Sequence, residues 1–389
     1  MRDFVFQSPT KIYFGRGVEE KIGQVLKDAH HKRVLLHYGS GSIFKNGLYE
    51  RIIASLKMVG LEVFELGGVQ ANPIIDLVRL GVNLVKQEHI DVIVACGGGS
   101  VIDSAKLIAV ASTTDIDPWE YSMHHAIAEN VLDLACILTI SAAGSELSNS
   151  CVISNPDNNL KRGFNSDLIR PKWAFLNPEL TYSVGPYQTS CGVVDILMHT
   201  FERYLTYDEA PLTRNMANGL IKTVLHYGKE CYDHPTDYDA RANIMLASSL
   251  SHNGLTGLGI KMYFTVHKLE HEVSGFYPNV AHGAGLAVLF PIWAKEMIPS
   301  HTHLFSEFAL HALGLDDTKD ELKNAYLGIN YLSEYFTSLG MPKMLREFGI
   351  QKEDLSKMAL SATQNGNALV LGITDLTYED VLKIYQKAY

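Results

Sequence analysis

The chain has 389 residues, 47% hydrophobic and 20% charged, with 33 Lys+Arg against 43 Asp+Glu and a formal net charge of −10. That balance excludes a generic nucleic-acid or anionic-membrane binder, which needs a basic field, and no Lys/Arg-rich run supplies one locally. No apolar run approaches the ~18 residues of a membrane span.

The opening MRDFVFQSPT carries no apolar signal stretch, and the five cysteines are scattered with no C-x-x-C pair. A protein of the reducing cytoplasm is expected, with no membrane or nucleic-acid partner. In chain order, apolar runs at Lys32–His37, Leu61–Leu66, Ile90–Cys96 and Ala135–Ile140 read as strands separated by helical stretches. Such spacing predicts a parallel sheet with covering helices. After Ser183 the strand signals fade. Helical spacing runs over Pro186–Thr206, Pro211–Cys231, Asp239–Ser251, His282–Met297, Lys319–Leu339 and Tyr378–Tyr389. The expected division is an α/β domain over 1–183 and a helical domain over 184–389.

Cys96-Gly97-Gly98-Gly99-Ser100 stands between the run DVIVAC and the helical VIDSAKLIAV. Strand, glycines and helix N-terminus make a phosphate-binding arrangement, because unpaired N–H groups and the helix dipole meet an anion there. Ser100 can cap that helix or donate to phosphate. A tight turn with no ligand is the plain alternative, since the run is neither G-x-G-x-x-G nor a P-loop. The end of the first predicted strand reads His37-Tyr38-Gly39-Ser40-Gly41-Ser42, with no carboxylate. Small and hydroxyl residues leave room for a 2′-phosphate, which favours NADP over NAD; a plain Gly/Ser turn is the alternative.

Asp195 and His199 are four apart, as are His267 and His271, and His282 follows eleven residues later. Residues at i and i+4 share a helix face, so each pair can address one ion. Three imidazoles and a carboxylate suit Zn²⁺ or Fe²⁺. Taken alone, Asp195, His199 and Glu202 read better as a solvent-facing polar stripe. His267-Lys268-Leu269-Glu270-His271 also matches H-x-x-E-H, a metallopeptidase pattern in which Glu270 would activate water; a glycine-rich nucleotide half has no place in that reading.

Together these segments resemble the iron-containing (group III) alcohol dehydrogenase family, in particular its NADP-dependent butanol dehydrogenase branch. The resemblance covers almost the whole chain. CGGGSVIDSAK, NPELTYSVGPYQTSCGVVDILMHTFERYLT and HKLEH…AHGAGLAVLFP carry it most specifically. It implies an amino-terminal dinucleotide-binding α/β domain with a parallel sheet and an all-helical carboxy-terminal metal-binding domain. It implies Asp195, His199, His267 and His282 as ligands of one Fe²⁺ or Zn²⁺, and His271 as the catalytic polar residue. It implies Gly98, Gly99, Ser100 and Asp103 at the pyrophosphate and neighbouring ribose, and Gly39 and Ser40 at the 2′-phosphate of NADP(H). Asn72, Thr139 and Lys161 fall at cofactor-lining positions, and relatives are often homodimers. The sequence departs from the family in reading Ser141-Ala142-Ala143 where a proline and a second threonine are usual.

The implied reaction is hydride transfer between NADP(H) and a primary alcohol or aldehyde such as butanol or butanal. In that reading Glu270 has no chemical role. A dehydroquinate-synthase-like lyase shares the two-domain plan and is the alternative, but it needs a basic substrate pocket, and little Lys/Arg lies near these histidines. A non-catalytic nucleotide sensor gives no reason for four metal-type ligands.

Overall fold

The computed structural model describes residues 1–389. The chain divides into two compact units, one of Gln7–Ser183 and one of Val184–Tyr389 together with Met1–Phe6. The first six residues therefore depart from the expected 1–183 grouping. Arg2 is the reason: its N–H donates to the Gly259 carbonyl at 2.8 Å and its guanidinium to Asp208 at 2.6 Å.

In the Gln7–Ser183 unit, six strands form a parallel sheet: β1 (Lys11–Phe14), β2 (Arg33–Gly39), β3 (Glu62–Val69), β4 (Val92–Gly97), β5 (Asp133–Leu138) and β8 (Trp173–Leu176). Their order is β1-β8-β5-β4-β2-β3. Every residue of central β4 is buried, which is why its sequence is apolar throughout rather than alternating. Helices α1 (Ile22–Asp28), α2 (Ser42–Lys45), α3 (Leu48–Met58), α4 (Ile75–Gln87), α5 (Gly99–Ala111) and α6 (Pro118–Ser122) complete this unit. From Val101 onward α5 is almost wholly buried, matching its continuous run of Val, Ile, Ala and Leu. The antiparallel hairpin β6 (Ser150–Asn155) and β7 (Leu160–Asn165) has no counterpart in the sequence reading. Nor do β1 and β8, which are only four residues each.

The strand order turns back at β2. From there the chain moves outward to β3 and then returns to β4 on the other side. In open parallel sheets, ligands bind beyond the carboxyl ends of the strands at such a reversal. Gly39 and Gly97 end the two strands that flank it, held in register through Tyr38 and Cys96.

The other unit is helical: α7 (Pro186–Tyr204), α8 (Pro211–Asp233), α9 (Tyr238–His252), α10 (Thr265–Phe276), α11 (His282–Glu307), α12 (Glu321–Ser338), α13 (Asp354–Ala362) and α14 (Tyr378–Ala388). Its largest core gathers apolar residues from every one of these helices. Helix α11 runs past the expected Met297 because Pro299 does not end it; the backbone breaks at His301 instead (φ −135°, ψ 30°). No helix is long and apolar enough to cross a membrane.

Candidate active site

The phosphate loop is shaped by close packing. A Cβ on Gly98 would lie 2.1 Å from Ile140 Cγ2, so only glycine fits where β4 turns into α5. No side chain caps α5; Ser100 sits within its first turn, so its hydroxyl is not the cap and the helix start is open to an anion. Thr139, just past β5, donates its N–H to the Gly97 carbonyl at 3.1 Å, which puts it on the same edge of the sheet.

Asp103 lies one turn into α5. Both its carboxylate oxygens accept from the protein: Oδ1 from Ser145 Oγ at 2.5 Å and Oδ2 from Val152 N at 2.9 Å. Lys106 is fully buried, and its ammonium donates to Ser148 O, Ser148 Oγ and Ser150 O at 2.7–3.0 Å. The two residues thus clamp the Ser145–Val152 stretch against α5. Asn72 follows β3 with a left-handed backbone (φ 55°). Ser154 N donates to Pro73 O at 2.8 Å, and Ser154 faces Lys161 across the hairpin, which brings Asn72 and Lys161 to one region.

At the end of β2, a Cβ on Gly39 would meet only Val69 O at 3.5 Å and Val101 Cγ2 at 3.9 Å, ordinary contacts. The carboxylate of Glu65 on the adjacent β3 accepts from Tyr38 Oη at 3.0 Å and Tyr49 Oη at 2.8 Å. Behind this edge His37 is fully buried. Its Nδ1 lies 2.8 Å from Leu66 O and its Nε2 2.9 Å from Ser104 Oγ, an arrangement that suits the neutral ring. Burial lowers its pKa to about 4, against a smaller upward pull from the Leu66 carbonyl.

In the helical unit, three imidazole nitrogens surround one carboxylate oxygen. Asp195 Oδ1 lies 3.7 Å from His199 Nδ1, 3.5 Å from His267 Nε2 and 3.7 Å from His282 Nε2. An ion about 2.1 Å from tetrahedral donors spaces them about 3.4 Å apart; Asp195, His267 and His282, whose donor atoms all lie within 4.8 Å of one another, come close to that, and His199 joins them through Asp195. Asp195, His199 and His267 are buried, and Asp195 Oδ1, His199 Nδ1 and His267 Nε2 have no hydrogen-bond partner. Buried polar atoms are costly when unpaired, and a shared cation satisfies all of them at once. The electrostatics point the same way. Burial drives His199 well below the usual imidazole range, with the neighbouring His252, His267 and Arg203 adding to the effect. Burial also opposes charge on His267, but Glu202 and Asp195 outweigh it and raise its pKa to about 9. The carboxylates that hold a proton on His267 offer the same attraction to a cation.

Glu202 and Glu270 complete the centre, and the sequence reading missed both roles. Asp195, His199 and Glu202 are no solvent-facing stripe; all three are at most 5% exposed. Glu202 Oε2 holds His267 Nδ1, and Glu270 Oε2 holds His282 Nδ1. Each carboxylate leaves the opposite ring nitrogen facing Asp195, the usual way a protein orients a metal-binding imidazole. Glu270 therefore has a part that the sequence reading denied it. It also bonds Ser274 Oγ and is fully buried, so it is not placed to activate water as in a peptidase. The i, i+4, i+7 spacing of Asp195, His199 and Glu202 was the signal available for Glu202. His271 is half-buried, its ring centroid 5.5 Å from that of His282. A cluster of Glu270, His271 and His282 also has metal-type donors, but its Glu270–His282 pair is closed by the hydrogen bond.

Two family models match: iron-containing alcohol dehydrogenase over residues 9–178, and the C-terminal part of the Fe-containing alcohol dehydrogenase family over residues 189–389. The chain is 40% identical to NADH-dependent butanol dehydrogenase A of Clostridium acetobutylicum, over 100% of both chains. It is 30% identical to the NADPH-dependent aldehyde reductase YqhD of Escherichia coli, again over 100% of both. It is also similar to the crystal structure of NADH-dependent butanol dehydrogenase A from Thermotoga maritima, with a TM-score of 0.95 and 34% identity, covering 100% of this chain and 99% of that one.

Proposed function

Since the chain belongs to the iron-containing alcohol dehydrogenase family, we propose that it reversibly reduces an aldehyde such as butanal to the primary alcohol with NADPH. At the coarser level it is an oxidoreductase acting on CH–OH groups with a nicotinamide cofactor and a metal. The lyase alternative is set aside: the relatives above are named as butanol dehydrogenases and an aldehyde reductase. The observation that carries the proposal is the convergence of three imidazole nitrogens on Asp195 Oδ1, with Asp195 Oδ1, His199 Nδ1 and His267 Nε2 buried and without a hydrogen-bond partner.

Asp195, His199, His267 and His282 would hold Fe²⁺ or Zn²⁺, since imidazole and carboxylate accept either. When bound, the cation supplies Lewis acidity toward a carbonyl oxygen and the nicotinamide supplies hydride. Glu202 and Glu270 keep two of the imidazoles turned toward that ion. His271, beside His282 and partly open, delivers a proton from its imidazole to the product oxygen, directly or through a water. Gly98, Gly99 and Ser100 receive the pyrophosphate at the start of α5, with Asp103 holding that stretch and bordering the ribose. Asn72, Thr139 and Lys161 line the cofactor.

NADPH is favoured by the absence of an acidic side chain over Gly39–Ser42, where Gly39 and Ser40 would meet the 2′-phosphate. The relatives' names divide between NADH and NADPH. Five buried free cysteines support the cytoplasm as its compartment. Edge strand β1 exposes Ile12 and Phe14. An open apolar edge of this kind supports a homodimer. The test is absorbance at ~340 nm, which follows NADPH oxidation. It should fall when butanal is added to Fe²⁺- or Zn²⁺-loaded protein, and no change with any primary aldehyde would refute the proposal.

A further inference from the structure

We propose, on the basis of that metal-site reading, that Glu202 is a positioning residue which sets the imidazole of His267 and the start of helix α10 together. Helix α10 begins at Thr265, and its own N-cap residue, Phe264, provides no side-chain acceptor. A helix start leaves N–H groups that need acceptors, and here they are buried. Glu202 supplies the acceptors from a different helix, α7. One oxygen, Oε1, accepts Val266 N–H at 2.6 Å. The other, Oε2, accepts His267 N–H at 3.3 Å and also the Nδ1–H of the His267 ring.

A carboxylate oxygen that accepts the Nδ1–H keeps a proton on that nitrogen, so it is Nε2, the nitrogen facing Asp195 Oδ1, that is left to give up its proton and offer a lone pair to a cation. With the opposite tautomer, an N–H would point where a cation must sit. One face of α7 thus presents two donors, Asp195 and His199, and fixes the third, His267, through Glu202. The inter-helix cap and the ligand orientation are one device.

Glu202→Gln separates the two roles. Three N–H groups face the two carboxylate oxygens, and an amide has only one oxygen to offer. With the amide oxygen in the place of Oε1, on Val266 N–H, the NH₂ takes the place of Oε2, faces His267 Nδ1 and moves the ring proton to Nε2. Zn²⁺ affinity by chelator competition, the visible spectrum of the Co²⁺-loaded protein and the melting temperature of the metal-free protein are measured for wild type, Glu202→Gln and Glu202→Ala. For Glu202→Gln, Zn²⁺ affinity should fall roughly 10–100-fold and the Co²⁺ bands should shift, with the metal-free melting temperature falling less than in Glu202→Ala because Val266 N–H keeps its acceptor. Glu202→Ala should lose affinity and melting temperature together; if it does not fold, Glu202→Gln decides alone. Unchanged affinity and spectrum in Glu202→Gln, beside a wild type that binds metal, overturns the positioning role and leaves the metal site standing. A wild type that takes up no Zn²⁺ or Co²⁺ overturns both.

Discussion

Gly39→Asp places a carboxylate where the proposal puts the 2′-phosphate of NADPH. The backbone at Gly39 does not require glycine: its φ is not positive, and a Cβ would have only the ordinary contacts to Val69 O and Val101 Cγ2. The substitution therefore isolates charge from sterics. A carboxylate and one phosphate charge about 5 Å apart, at an effective dielectric of ~20, repel by about 3 kcal/mol, or roughly a hundredfold in binding. The same carboxylate can accept from the ribose hydroxyls of NADH, so affinity for NADH should hold or rise. Kd values for both cofactors from quenching of protein fluorescence, with kcat/KM for each in butanal reduction, read the effect. The expected result is NADPH preference in wild type and its reversal in the variant, with raised salt weakening the NADPH penalty. Equal NADPH affinity in the two proteins would refute the reasoning. So would a wild type that prefers NADH, or a variant that loses both cofactors alike.

Glu270→Gln removes the charge that orients His282, and should weaken metal retention roughly tenfold or more, measured as metal per chain after dialysis against a chelator; full retention would show that His282 needs no such partner. His37 gives a pH signature. The folded ring does not take up a proton until about pH 4, whereas the unfolded chain does so near pH 6.5, so between these values the unfolded state binds more protons and stability falls as pH drops. Urea midpoints should show wild type losing up to about 3 kcal/mol relative to His37→Asn across that window and little further difference below it; parallel pH profiles would rule out a neutral buried His37.

Strands β2, β4 and β5 were legible because burial on both faces leaves continuous apolar runs, as in Val92–Gly97, and β3, at the far edge of the sheet and only partly buried, showed through Val63 and Phe64 between two glutamates. Strand β1 was not, because Lys11–Phe14 is exposed at an edge and carries no buried pattern; β8, with only Trp173–Leu176, is too short to show a period. The hairpin β6–β7 carries Lys161, Arg162 and two asparagines, a composition that reads as loop. The spacing of Asp195 and His199 was visible, but an i, i+4 polar pair looks alike on a wet face and around an ion. Only packing separates the two cases: α7 is buried along nearly its whole length, and its polar residues meet Val266 and His267 of α10 and His282 of α11. Glu202 and Glu270 went unrecognised for a related reason. Their partners lie on other segments or depend on a ring orientation that the sequence does not specify.

The central claim is that Asp195, His199, His267 and His282 hold one cation while His271 handles a proton. Metal content per chain, measured in single variants of these five residues after equal loading with Zn²⁺, tests it most directly. The account predicts about one equivalent in wild type and in His271→Ala, and little or none in Asp195→Asn, His199→Ala, His267→Ala and His282→Ala. A His271→Ala protein that loses its metal while His282→Ala keeps it would contradict the account.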